Sequence, residues 1–189
     1  MVDLLVTYME MLAPPQGAPL APPLADAIVA RERLDISSYL DLYRTVGGPV
    51  QWDQRLRMPE ADLETLLAST LTHIHVLSVD GEAAGFCEFN NVYEAAIELV
   101  HFGLVPAFQG KRLGPFLLDR ALRAAWSRRP QRLWLHTDTY DHPAAQSVYR
   151  RAGFRAYAEG METFFRTSRK GAARNRPSRA PSCRRGTSP

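Results

Sequence analysis

The sequence predicts an α/β protein with a mixed, mostly antiparallel central sheet of about six to seven strands flanked by about four helices. Three observations predict it. Segments of alternating, β-branched and aromatic residues outnumber the helical ones. Three of them follow one another between positions 73 and 105 with hairpin spacing, which makes an antiparallel meander. Each of the last two strand-like segments is preceded by a helical pattern, the arrangement that permits parallel crossovers.

Residues 1 to 12, "MVDLLVTYMEML", read as a first strand, and "APPQGAPLAPP" after them as extended, irregular chain. In "DISSYLDLYRTVGG" the residues Ile36, Tyr39, Leu40 and Tyr43 share one helical face, Asp35 is a cap, and Gly47 and Gly48 stop the helix. In "MPEADLETLLAST" Pro59 suits a first turn and Leu63, Leu66 and Leu67 form the stripe to be buried. "HIHVLSVDGEAAGFCEF" is two strands around an Asp80-Gly81 hairpin turn, and "AAIELVHFGLV" is a long third strand. "PFLLDRALRAAW" places Leu117, Leu118, Ala121, Leu122, Ala125 and Trp126 on one side of a helix, and "RLWLHT" is the next strand. Pro143 opens a short helix with Ala145, Val148, Tyr149 and Ala152 on its apolar face, Gly153 closes it, and "METFFR" supplies an edge or closing strand.

A chain of 189 residues with 46% hydrophobic and 23% charged residues suits one globular domain, read here as residues 1–166. The formal charge of +3 hides an asymmetry, because Thr167–Pro189 holds seven basic residues and no acid, leaving −4 for the rest. That tail is rich in Gly, Pro and Ser and is expected to be disordered. It has no aromatic residue among its cations, so nucleic acid is disfavoured as a partner. No apolar run reaches the ~18 residues of a membrane span. The start carries acids and lacks a basic leader region, so a cytoplasmic location is expected. Cys87 and Cys183 stand in contexts too different for a structural disulfide, and no His/Cys spacing resembles a metal site; His73 and His75 decorate one face of a strand.

Chemistry is most concentrated in "FGLVPAFQGKRLG", Phe102 to Gly114. A strand breaks at Pro106, two glycines bracket a Lys-Arg pair, and a helix follows. A loop of free amides at a helix start, with positive charge beside it, suits a phosphorylated ligand such as a pyrophosphate. A plain Gly-containing turn has the same composition, and neither the Walker nor the dinucleotide fingerprint is present.

Gln109 to Gly114 resembles the Q/R-x-x-G-x-G/A loop of the GNAT superfamily, the acyl-coenzyme A dependent N-acetyltransferases, and "FGLVP" resembles that family's acetyl-CoA-binding strand. "HPAAQSVYRRAGF", His142 to Phe154, is similar to its N-x-x-A-x-x-x-Y-x-x-x-G-F segment. The resemblance covers roughly residues 70 to 165. Two positions depart from the pattern: Arg112 stands in place of the first glycine and His142 in place of Asn.

The resemblance implies acetyl-CoA as co-substrate, no metal, and transfer of the acetyl group to a primary amine of a small molecule or peptide by direct attack in a ternary complex. It implies a splayed central strand pair, with backbone groups of Phe102, Gly103 and Leu104 gripping the pantetheine arm. Gln109, Gly110, Lys111, Arg112, Leu113, Gly114 and His142 would then surround the rest of the coenzyme. By the same resemblance Glu98 is the general base, with Asp138 and Glu88 in reserve, and Tyr149 protonates the departing thiolate. Residues alone give Glu98 a second reading as a solvated acid and Tyr149 one as a packing residue. The resemblance also puts the acceptor pocket at the loop holding Tyr43, Trp52, Asp53 and Arg55, a segment whose residues alone read equally as an ordinary packed loop. The alternative is a non-catalytic module that binds coenzyme A or a partner, using its basic tail. Relatives leave a homodimer open.

Overall fold

The computed structural model describes residues 2–164, so the basic tail and Cys183 lie outside the described residues. Seven strands and four α-helices follow one another among the described residues: β1 (Val2–Met11), β2 (Ile28–Glu32), α1 (Ile36–Gly47), α2 (Glu60–Ala68), β3 (His73–Val79), β4 (Glu82–Asn90), β5 (Ala96–Leu104), α3 (Leu113–Trp126), β6 (Arg132–Asp138), α4 (Ala145–Ala152) and β7 (Arg155–Phe164). They form one open mixed sheet in the order β2-β3-β4-β5-β6-β1-β7, in which only β5 and β6 are parallel neighbours.

Local signals act as expected. The Asp35 carboxylate accepts the Ser38 amide at 2.8 Å and starts α1. Asp80 and Gly81, at φ 52° and 80°, both take the left-handed conformation that a two-residue hairpin needs between β3 and β4. The α3 stripe from Leu117 to Ala125 is buried, while Trp126 is half-buried with its indole N–H directed at Met11 Sδ, 3.1 Å away. In α2 only Leu63 of the three stripe leucines is fully buried.

The two ends of the sheet differ from expectation. β2 was not foreseen: it is five residues long, lies at the sheet edge, and is mostly exposed, so it carries no alternation to read. β1 lies inside the sheet between β6 and β7, antiparallel to both, so these two strands on either side of α4 do not pair. Its buried residues explain the position, because Leu4, Val6, Met9 and Met11 supply apolar side chains to both faces.

Each face of the sheet has its own core. Met9, Leu77, Phe89, Ile97, Leu117 and Leu133 pack on the α3 side. Tyr39, Tyr43, Val46, Leu63, Ile74 and Phe86 pack on the α1–α2 side. Among the described residues no helix is long and apolar enough to cross a membrane.

His73 and His75 are 4% and 6% exposed. Burial, with the positive charge of Arg31 nearby, lowers both from 6.5 to about 4. Since these pKa values are depressed, the unfolded chain binds protons first; stability is intact above pH 6.5 and is lost as pH falls towards 4. We expect a loss on the order of 3 kcal/mol for each histidine over that window. Denaturant titrations at pH 7 and pH 5 should show it, and His75→Phe should flatten the slope; an unchanged slope would locate the acid sensitivity elsewhere.

Candidate active site

The site begins with a failure of pairing. β5 and β6 are partners only from Ala96–Arg132 to Glu98–Trp134, although the strands run on to Leu104 and Asp138. Beyond that point they diverge, and a cleft of about 600 Å³ opens between them. From Leu99 to Leu104 the backbone of β5 has β4 on one side and no strand on the other, so its groups there are available to an extended ligand.

A bulge shapes the same strand. Glu88 pairs with His101 but Phe89 pairs with Leu99, so Val100 is the extra residue. Leu99 and Phe102 consequently both join the α3-side core, while His101 turns to the α1 side to meet Glu88. Gly103 is required by close approach: a Cβ there would come within 2.5 Å of Val46 Cγ1, at the end of α1. Gly103→Ala is expected to cost about 1–3 kcal/mol through displacement of α1. A denaturant midpoint that does not move would show that α1 can retreat freely.

The loop between β5 and α3 stands at the mouth of the cleft. Gln109, Gly110, Arg112, Leu113 and Gly114 line it, together with Phe102, Gly103, Leu104 and His142. Lys111 does not; its Nζ sits 5.1 Å over the Phe108 ring. No side chain caps α3, and the amides from Gly110 to Gly114 donate to no backbone acceptor among the described residues. A Cβ on Gly110 would meet nothing within 4 Å, so the space before these donors is open. The donor set and the open space fit a diphosphate.

Arg112 occupies the left-handed region at φ 60°, ψ 12°, which costs a side-chain-bearing residue about 1 kcal/mol. The position thus keeps a glycine-like backbone without the glycine. At the other departure, His142 Nδ1 accepts the Ala144 amide at 3.1 Å and organises the turn into α4. That assigns the remaining ring proton to Nε2.

Of the acids read from sequence, Glu98 lies below the cleft. It is 7% exposed, pairs with Asn90 on one side and Trp134 on the other, and precedes the first lining residue of β5, Leu99. Its neighbours along the sheet hold more. Glu88 is wholly buried and accepts from Tyr39 Oη at 2.6 Å, from the Arg55 guanidinium, and from His101 Nδ1 at 2.9 Å. Burial alone would raise Glu88, but His101 and Arg55 hold its carboxyl well below the usual range. His101 lines the cleft, with Trp52 and Tyr43 rings at 4.9 and 5.1 Å.

Across the opening, Asp141 accepts from the Thr137 hydroxyl at 2.7 Å and from the Asp138 amide at 3.2 Å. Burial raises its pKa, and the Asp138 charge adds to the rise. Tyr149 also lines the cleft, between Phe102 at 5.9 Å and Phe154 at 6.0 Å. Burial, then the Asp141 charge, push its phenol well above its ordinary value, so it keeps its proton.

In the loop between α1 and α2, Tyr43, Trp52 and Asp53 face the cleft while Arg55 is buried behind it against Glu88. Sequence reasoning thus missed His101 and Asp141. Both stood next to residues it named, and Asp141 carried a further signal, the D-T-Y-D turn in which Asp138 also caps the Tyr140 amide at 2.7 Å. Among the described residues no group of His, Cys, Asp and Glu could hold a metal, and Cys87 is a buried free thiol.

Comparison with known proteins agrees with this fold. No curated protein matches the chain in sequence. Solved structures share the fold at low identity. A Novosphingobium aromaticivorans protein assigned to the GNAT family superposes with TM-score 0.58 at 16% identity, over 85% of this chain and 63% of its own. A GCN5-related N-acetyltransferase from Sphaerobacter thermophilus gives 0.60 at 17%, over 82% and 49%. An aminoglycoside acetyltransferase from an uncultured soil metagenomic sample gives 0.58 at 14%, over 77% and 97%. The chain thus spans about half to two thirds of the first two structures. The sequence profile of the acetyltransferase (GNAT) family matches residues 38–154, from α1 through the end of α4, and the chain belongs to that family.

Proposed function

We propose that the protein transfers an acetyl group from acetyl-CoA to a primary amine of a small molecule or peptide, in the cytoplasm, by direct attack in a ternary complex. The observation that carries this reading is the parting of β5 from β6 beneath a loop whose amides have no backbone acceptor. Acetyl-CoA supplies an activated acyl carbonyl and a thiolate leaving group. Amides from Gly110 to Gly114 hold the diphosphate, and the open edge from Phe102 to Leu104 aligns the arm.

The proton-acceptor role passes from Glu98 to His101. Its Nδ1 donates to Glu88, so Nε2 takes the proton from the attacking amine, and the buried carboxylate stabilises the imidazolium that results. Tyr149, protonated and at the α4 wall, gives its proton to the departing thiolate. Asp53, Asp138 and Asp141 face the cleft from the acceptor side and hold the amine in place; Trp52 and Tyr43 bound it with aromatic surface.

The test is thiol release from acetyl-CoA across a panel of primary amines, including aminoglycosides and peptide amino termini, alongside calorimetry with acetyl-CoA. Tight binding with amine-dependent release supports the reading. Binding without release for any amine would leave a coenzyme-binding module in its place.

A further inference from the structure

The described chain ends beside the mouth of the cleft. β6 and β7 are both antiparallel to β1, so they run in the same direction, towards the end at which β5 and β6 part. Asp138, the last residue of β6, pairs with Val6, and Phe164, the last of β7, pairs with Val2. The chain therefore leaves the sheet roughly 13 Å beyond Asp138 and two strand spacings, roughly 10 Å, to its side. The same register sets Glu162 opposite Leu4 and His136 opposite Tyr8, and Leu4, His136 and Asp138 line the cleft.

That side of the cleft is acidic and short of cations. Asp138, Asp141 and Glu162 make no ion pair among the described residues; Glu162 accepts the Tyr8 hydroxyl, Asp141 the Thr137 hydroxyl. The sequence that follows Arg166 has the opposite composition, seven basic residues and no acid. Six of the seven are arginines, whose guanidiniums keep their protons, so Lys170 holds the one side-chain amine there that can become a nucleophile. It stands six residues after Phe164, a reach of about 20 Å for extended chain, against about 16 Å from Phe164 to Asp138 by the spacings above. The sequence's other lysine, Lys111, rests over the Phe108 ring and does not line the cleft.

We infer that Lys170 is a modification site of the protein's own chemistry: the basic segment enters the acceptor side of the cleft in the same chain, and Lys170 Nζ takes the acetyl group. The inference rests on the acetyl-CoA reading of the cleft. Carboxylates of Glu162, Asp138 and Asp141 attract the arginines, and the tether to β7 keeps the amine at a local concentration on the order of millimolar. Once its ammonium has given a proton to solvent, Nζ attacks the thioester carbonyl carbon. The C–N bond forms and the C–S bond breaks; the second amine proton goes to His101 Nε2, and the thiolate takes a proton from Tyr149. The product amide is uncharged, so one of the attractions that brought the segment in is lost and the site is cleared for other amines.

Mass spectrometry of the full chain incubated with acetyl-CoA and no other amine tests it, with peptide mapping to place the acetyl group. One acetyl group per chain should appear on Lys170, about 100-fold faster than in the same chain unfolded in urea, which reports uncatalysed acetylation. The rate per chain should be the same at high and low protein concentration. It should fall several-fold, roughly, between low salt and about 0.5 M salt, and about threefold in Glu162→Gln. Lys170→Arg should abolish the modification while turnover of small amines continues. Acetylation elsewhere in its place, a rate per chain that climbs with protein concentration, or a folded-state rate no faster than in urea overturns the inference. If the amine panel is turned over and Lys170 stays unmodified, the inference falls and the transferase reading stands. If neither the panel nor Lys170 accepts acetyl, both fall.

Discussion

Glu88→Gln is expected to destabilise the protein by about 3–5 kcal/mol, seen as a melting temperature roughly 10 °C lower. Among the described residues Glu88 is the acid that contacts the Arg55 guanidinium, and both side chains are almost wholly buried, 0% and 2% exposed. Neutralising the acid leaves a cation without a counter-charge where water cannot replace it. The amide also brings two donors to a place where Tyr39, Arg55 and His101 already donate, so at least one of these bonds becomes a donor–donor contact. Tyr39→Phe serves as the measured contrast. It removes one hydrogen bond to a charged acceptor and should cost about 1.5–3 kcal/mol. The pH dependence has a definite sign: the folded-state pKa of Glu88 is depressed below its ordinary 4.5, so its stabilising effect is present above that value and is lost as pH falls through it. If Glu88→Gln melts within about 2 °C of the parent, the network is not what holds α1 and the α1–α2 loop to the sheet.

That network also shows what could and could not be read from sequence. The helices capped by Asp35 and opened near Pro59 and Pro143, and the hairpin at Asp80-Gly81, were legible because each rests on contacts within a few residues. The diverging pair was legible only through resemblance, since no local pattern states that β5 leaves β6 after Glu98. The strand β2 was invisible because an exposed edge of five residues imposes no periodicity. Glu98 stood out by resemblance and as a lone acid in an apolar run, whereas the placement of His101 on the same face was hidden for a physical reason. Strict alternation along "ELVHF" puts these two side chains on opposite faces. The extra residue at Val100 cancels that alternation, and only the register with β4 reveals it. The buried partner across the sheet, Glu88, was named as a reserve base; it is wholly buried behind His101 and bonds its Nδ1, which fits the orienting role in the proposed reading.

His101→Gln is expected to lower kcat by about 10²–10⁴-fold while acetyl-CoA affinity stays within about threefold. The division follows from position. His101 lies on the α1 side of β5, ringed by Trp52 and Tyr43, whereas the amides proposed to hold the coenzyme lie beyond Leu104 at the start of α3. Glutamine can still bond Glu88 through its amide, so the loss reports the missing proton acceptor more than a broken fold, and a melting curve checks this. Added imidazole should restore part of the rate if the space left by the ring admits it. Glu98→Gln, outside the cleft, should stay within about fivefold of the parent, a change worth about 1 kcal/mol. The reverse result, a large loss for Glu98→Gln and a small one for His101→Gln, would return the base to Glu98. A water would then have to carry the proton past the last paired residues of β5 and β6.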